Sequence, residues 1–316
     1  MRKAGAYDPP RYDDPNDRRL VQIIHPASRA REAAVNIIGI PFDGAVLGRR
    51  GAAGGPDAIR KAMSAFSNYN IELGLSLEDA RIFDLGDLVV GGEDVEGAHA
   101  AIYGEVRRDL RKESLLVMLG GDNSVSLPGI RATAGKFGKV GVVVVDSHLD
   151  LRGRIRGRPS SGSSYGLAIE TVEGVDAEKV VELGVHGFLN SRPYAEKAER
   201  LGVGVVSAEQ IARLGAKAVA KEAFGIAGRK TDAVYFSVDL DAVDSSEVSG
   251  VSAPSAGGLS ARELCDFAFY FGGRPKVKCA DLAELAPSLD PSGRSQGVAA
   301  AVLVHLIAGF HARGRA

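Results

Sequence analysis

Cysteine is scarce, net charge is close to zero and no apolar run opens the chain, and each shortage excludes something. Cys265 and Cys279 are the only cysteines, too few for a disulfide framework, and each lies in an apolar setting where a small buried thiol is the usual occupant. No base partner is evident beside either, which argues against a cysteine nucleophile. Lys and Arg total 39 against 40 Asp and Glu, so no bulk field would recruit nucleic acid or an anionic membrane, and small molecules are the expected partners. Met1 to Asp17 mixes Arg, Asp and Pro without an apolar core. It reads as neither a signal peptide nor a membrane span, and a cytoplasmic location is expected. Linker composition and internal repeats are also missing. The chain of 316 residues therefore reads as an aperiodic arm, residues 1–30, loosely packed or docked on a neighbouring subunit, followed by one domain, residues 31–316.

Apolar residues, by contrast, make up 45% of the chain, enough for a large core. Short β-branched runs alternate with helical patterns: Val35 to Ile40, Leu115 to Leu119, Gly141 to Asp146, Val180 to Val185, Val203 to Val206, Ala233 to Asp239 and Val277 to Ala280. Runs apolar at every position, such as Val142 to Val145, predict strands buried on both faces, as parallel strands are under crossover helices. The expected fold is a three-layer α/β/α sandwich around a mainly parallel sheet. Ser207 with Gln210, and Ser260 with Glu263, predict capping boxes that open two helices.

In such a sheet the ligand site lies beyond the carboxyl ends of the strands. Three strand ends carry chemistry: Gly120-Gly121-Asp122-Asn123-Ser124, Asp146-Ser147-His148-Leu149-Asp150, and Asp239-Leu240-Asp241. Asp146, His148 and Asp150 stand at i, i+2 and i+4, which in extended backbone projects them to one side, and Asp239 and Asp241 repeat the spacing. Four converging carboxylates would repel unless divalent cations held them. Oxygen-rich ligation with one imidazole suits Mn²⁺ better than Zn²⁺, with Fe²⁺, Co²⁺ and Ni²⁺ left open.

These segments, with Gly39 to Asp43, Gly51 to Arg60 and the late Asp281 to Pro287, resemble the ureohydrolase superfamily of arginase, agmatinase and formimidoylglutamase over nearly the whole chain. The resemblance implies an arginase-like fold, a trimer or hexamer, and two Mn²⁺ per subunit bridged by Asp146 and Asp239 and completed by His148, Asp150 and Asp241. Asn123 stands where the family usually has His. An amide oxygen is a weaker, neutral ligand, so one metal position is expected to be weak or altered. Asp122 reads as a hydrogen-bond acceptor behind it, and Glu284 falls where the family binds the cationic amidine or guanidinium.

Ser161-Gly162 occupies the place of the His-Gly of arginases and agmatinases. That substitution, together with Gly250 to Pro254 and Leu289 to Arg294, resembles formimidoylglutamase. The implied reaction is hydrolysis of N-formimidoyl-L-glutamate to L-glutamate and formamide, with Glu284 holding the amidine and Asp150 carrying a proton. Arg152, Arg154, Arg156 and Arg158 offer guanidiniums for the substrate carboxylates, as do Arg49 and Arg50, and Ser161 reads as a hydrogen-bond donor to substrate. An agmatinase- or arginase-type guanidino hydrolase releasing urea is the first alternative, and a metal-poor pseudoenzyme that binds an amino acid is the second. His186 follows a strand, whereas His25, His99, His305 and His311 read as helix or surface residues.

Overall fold

The structure, a computed structural model, describes residues 2–10, 14–90 and 94–313. Met1 and residues 11–13 of the expected arm lie outside the described residues. The strands are β1 (Arg2–Lys3), β2 (Ile24–Pro26), β3 (Val35–Gly39), β4 (Tyr69–Asn70), β5 (Leu75–Ser76), β6 (Ile82–Leu88), β7 (Leu115–Leu119), β8 (Val140–Val145), β9 (Val180–Val185), β10 (Gly204–Ser207), β11 (Ala233–Asp239) and β12 (Val277–Ala283). One sheet runs β1-β6-β3-β7-β12-β11-β8-β9-β10, with β2 beside β6, and β4 and β5 form a separate ribbon. Among the described residues of the large sheet, only the β1–β6 pair is antiparallel.

Every residue of β3, β7, β8 and β11 is buried, as the continuous apolar runs predict for strands covered on both faces. Alternate residues feed two cores. Val143, Val145, Phe236 and Val238 pack with helices Ala216–Ala227, Ala261–Gly272 and Arg294–Ala312. On the other face, Val142, Val144 and Tyr235 pack with helices Val95–Asp109, Ser126–Phe137 and Ser164–Thr171. The result is the three-layer α/β/α sandwich expected. Both capping boxes form, at Ser207 with Gln210 and Ser260 with Glu263. Helix Arg294–Ala312 is long and apolar enough to cross a membrane by length and composition, yet half of that window is buried in the protein. It crosses helix Ala261–Gly272 in backbone contact: a Cβ on Gly309 would lie 2.1 Å from the Phe269 carbonyl oxygen.

Two differences from expectation share one cause. Strand β6 has a sequence, Ile-Phe-Asp-Leu-Gly-Asp-Leu, whose acids conceal it. Those acids are paired, because the fully buried Arg60 donates to Asp84 through Nε at 2.7 Å and Nη2 at 3.0 Å, and also ion-pairs with Asp87. The described part of the N-terminal stretch is not loose either. β1 and β2 complete the outer edge of β6, Tyr7 donates to Asp84, Arg2 pairs with Glu105 and Asp109, and Leu20 and Ile23 are buried.

Arg60→Leu strands the Asp84 carboxylate without its cation, and breaking such a pair costs about 3–5 kcal/mol. Urea unfolding should show a loss of that order; a loss below about 1 kcal/mol would contradict this role for the pair.

Candidate metal centre and active site

Strands β7, β12, β11 and β8 are neighbours and parallel, so their carboxyl ends open on one place at the centre of the sheet. There Asn123, His148, Asp150, Asp239, Asp241 and Glu284 line a cavity of about 110 Å³ with Leu47, Arg152, Ser161 and Ser252. Asp146 lies beneath, with no exposed surface.

The convergence arises from turns and not from extended backbone. Strand β8 ends at Val145, and the Asp146 carboxylate accepts the His148 N–H at 2.6 Å. Asp239 accepts the Asp241 N–H at 2.9 Å in the same way. These short loops fold back on an Asp side chain, a conformation that the residue favours. Asp150 has φ of 46° and Glu284 has φ of 68°, left-handed conformations that cost non-glycine residues free energy and collect at functional sites. The expectation of a straight i, i+2, i+4 projection is corrected accordingly.

One ligand atom each from Asp146, His148 and Asp241 lie within 4.8 Å of one another. His148 Nδ1 is 3.1 Å from Asp241 and 3.4 Å from Asp146. Burial, then repulsion from the other acids, lifts the carboxyls of Asp146 and Asp239 well above their ordinary range. Burial lifts Asp150 to about 6. For His148 burial acts downward, but Asp146 and Asp241 outweigh it and push the imidazole up to about 12. Burial opposes ionisation of Asp241 too, yet His148 and Ser147 hold its carboxyl below the usual range. The cluster thus retains protons that a divalent cation would displace, and its hard oxygen donors with one imidazole fit such an ion.

Asn123 Nδ2 is 2.7 Å from Asp150 and 3.3 Å from Asp146, while its Oδ1 is 3.0 Å from both Ser126 Oγ and Tyr165 OH. Asp122 sits behind it, accepting the N–H groups of Ser124 and Ala45 with its two oxygens. Glu284 Oε1 accepts the Asn123 N–H at 2.7 Å, whereas Oε2 is buried without a hydrogen bond. Ser161 Oγ accepts the Leu47 N–H at 3.2 Å, so its hydroxyl hydrogen is free to donate.

Of the arginines, Arg152 lines the cavity and stacks 5.1 Å over the Tyr194 ring. Arg154 is exposed and ion-paired with Glu96, and Arg156 and Arg158 are exposed; none of these three lines the cavity. Arg50 is also exposed, and Arg49 donates to the carbonyls of Ser249 and Val251, pinning that loop. His186 bridges Gly184 and Ser255 outside the cavity, and His99 is buried against Ser124.

A profile of the arginase family matches residues 33–309. The chain belongs to the arginase family. Its relatives within that family include a formimidoylglutamase of Halalkalibacterium halodurans, 32% identical over 91% of each chain. Among solved structures, formimidoylglutamase of Bacillus subtilis superposes with a TM-score of 0.89 at 28% identity, covering 98% of this chain and 96% of that one. Trypanosoma cruzi formiminoglutamase, crystallised with Mn²⁺, superposes with a TM-score of 0.87 at 33% identity, over 94% and 99%.

Sequence reasoning missed Asn190, which clamps this arginase-family site from the loop after β9. Its Oδ1 accepts the Leu149 N–H and its Nδ2 donates to the Ser147 carbonyl, both at 2.9 Å, fixing the backbone on either side of His148. No spacing signal marks it, since the clamp spans about forty residues of chain.

Without metal, Asp122 and Asp150 keep protons to about pH 6 in the folded chain, whereas ordinary carboxyls in the unfolded chain lose theirs near pH 4. The folded state then holds more protons, so stability falls as pH rises between these values. Asp244 and Asp290, held at about 2, finish contributing below that window. Chelator-treated protein should melt at a lower temperature at pH 7 than at pH 5, and Mn²⁺ should recover the stability lost at pH 7; a melting temperature that rises with pH in the chelator-treated protein would contradict the proton-retaining cluster.

Proposed function

We propose that this enzyme hydrolyses N-formimidoyl-L-glutamate to L-glutamate and formamide, as a cytoplasmic trimer or hexamer with two Mn²⁺ per subunit. The observation that carries the reading is the polarity of the cavity: Glu284, whose buried Oε2 has no hydrogen bond, and Arg152, whose guanidinium stacks on Tyr194, both line it. A substrate with an amidine at one end and carboxylates at the other needs both charges, whereas agmatine, a dication, would be repelled by the arginine.

Asp146, Asp239, His148, Asp150 and Asp241 would hold the ions, and Asn123 would be the sixth, weaker ligand. When bound, the ions supply Lewis acidity and lower the pKa of water. Glu284 orients the amidine by accepting an N–H on Oε2, because a planar cation is fixed best by a carboxylate opposite it. Water adds to the amidine carbon and the bond from that carbon to the glutamate nitrogen breaks. Asp150, on the cavity wall, takes the proton of the water and returns it to the departing amine, as a positioned carboxylate within reach of both groups can. Ser161 donates its free hydroxyl hydrogen to the substrate. We assign the carboxylate contact to Arg152, with Arg154 and Arg158 attracting the anion from the rim.

The relatives' names support the substrate, and a panel assay tests it. With Mn²⁺ added, formamide should accumulate from formimidoylglutamate, and urea from arginine or agmatine would contradict the assignment. Less than about one tight metal per subunit with no hydrolysis would favour the amino-acid-binding pseudoenzyme. Arg152→Met should raise KM for formimidoylglutamate at least about tenfold while changing kcat less, the signature of lost ground-state binding; an unchanged KM would remove Arg152 from the site.

A further inference from the structure

Beneath the site lies a buried polar network that the proposed chemistry does not use. Asp281, fully buried in β12, accepts Ser237 Oγ at 2.7 Å on one oxygen and the Tyr235 hydroxyl on the other. Ser237 Oγ also contacts Tyr165 OH at 2.9 Å and Ser126 Oγ at 3.3 Å, and these two hydroxyls reach the Asn123 amide. The residues lie on β11, β12 and two helices of one face, and all of them are buried.

Hydrogen counting gives this network a direction. It has six contacts: Asp281 with Ser237 and Tyr235, Ser237 with Tyr165 and Ser126, and Asn123 with Tyr165 and Ser126. A carboxylate only accepts, so Ser237 and Tyr235 each spend their single hydrogen on Asp281. If Asn123 Oδ1 faces the hydroxyls, Tyr165 and Ser126 spend theirs on it. Both contacts of Ser237 with Tyr165 and Ser126 are then left without a hydrogen. If the amide turns through 180°, exchanging nitrogen and oxygen, Nδ2 gives one hydrogen each to Tyr165 and Ser126. Those hydroxyls pass theirs to Ser237, which gives its own to Asp281. Four hydroxyls and one amide then bring one hydrogen to every contact, which a fully buried network requires.

The turned amide puts Oδ1 against Asp146 and Asp150, where the nitrogen otherwise stands at 3.3 and 2.7 Å. Three oxygens can share that place only around a cation. We propose that Asp281 is a positioning residue: as the terminal acceptor of a one-way hydroxyl relay through Ser237, it orients the Asn123 amide with its oxygen toward the metal. Burial raises the Asp281 carboxyl, but hydrogen bonds from Ser237 and Tyr235 oppose the shift and favour the acceptor form. The relay supplies what a neutral amide lacks beside an imidazole, a fixed orientation, and outer partners of this kind tune metal affinity by about 10–100-fold.

The inference rests on the two-ion reading above, and Mn²⁺ titration by calorimetry, with electron paramagnetic resonance of the bound ion, separates the two. Wild-type protein should bind two Mn²⁺; fewer would sink both the reading and the relay. Asp281→Asn, which can donate into the relay and reverse it, should weaken one of the two ions about 10–100-fold with far-UV circular dichroism unchanged. The double variant Asp281→Asn/Asn123→His should bind both ions as tightly as Asn123→His alone, because an imidazole has no amide to orient. If Asp281→Asn does not fold, Ser237→Ala breaks the same relay and should show the same loss and the same rescue. Two tight ions in the folded single variants, or no rescue by Asn123→His, would overturn the proposal.

Discussion

Burial of mutually repelling carboxylates is the constraint on which the rest of the structure depends. Asp146, Asp239, Asp241 and Glu284 are almost wholly buried and Asp150 stands beside them, in a place with one imidazole to offset them. Ionising them all together is unfavourable by far more than a domain's net stability, so the site must hold protons or cations. A fold that retains such a cluster has a use for the ions, and the family's hydrolytic chemistry supplies it.

The scaffold meets that constraint with rigidity. Four neighbouring strands buried on both faces deliver the acids, turns that close on Asp146 and Asp239 aim them, and backbone strain at Asp150 and Glu284 is held by the surrounding packing. The supporting groups come from distant parts of the chain: Asn190 grips both sides of His148, Arg49 ties down the loop at Ser249 to Ser252, and Asp281 anchors the hydroxyls behind Asn123. A site held this way keeps its geometry while ions and substrate exchange, which is what differential binding of a transition state needs.

The central strands and the acids that end them are legible in the sequence because continuous Val, Ile and Leu runs have few alternatives to a doubly covered parallel strand. Strand β6 is not, since its acids read as loop until Arg60 is known to be buried against them. The arginine run from Arg152 to Arg158 looks uniform, yet only Arg152 lies on the cavity wall, a distinction set by the stack on Tyr194 and by the turn around Gly157, with φ of 80°. The relay is invisible to any motif, because Ser126, Tyr165, Ser237 and Asp281 belong to separate elements and meet only through the sheet order.

The central proposal, that these carboxylates are assembled around two cations, is tested most directly by anomalous diffraction at the manganese edge from crystals grown with Mn²⁺. The account predicts two peaks about 3.5–4 Å apart, as in two-metal hydrolytic sites, both beside Asp146 and Asp239. A single peak, or peaks away from these two residues, would contradict it.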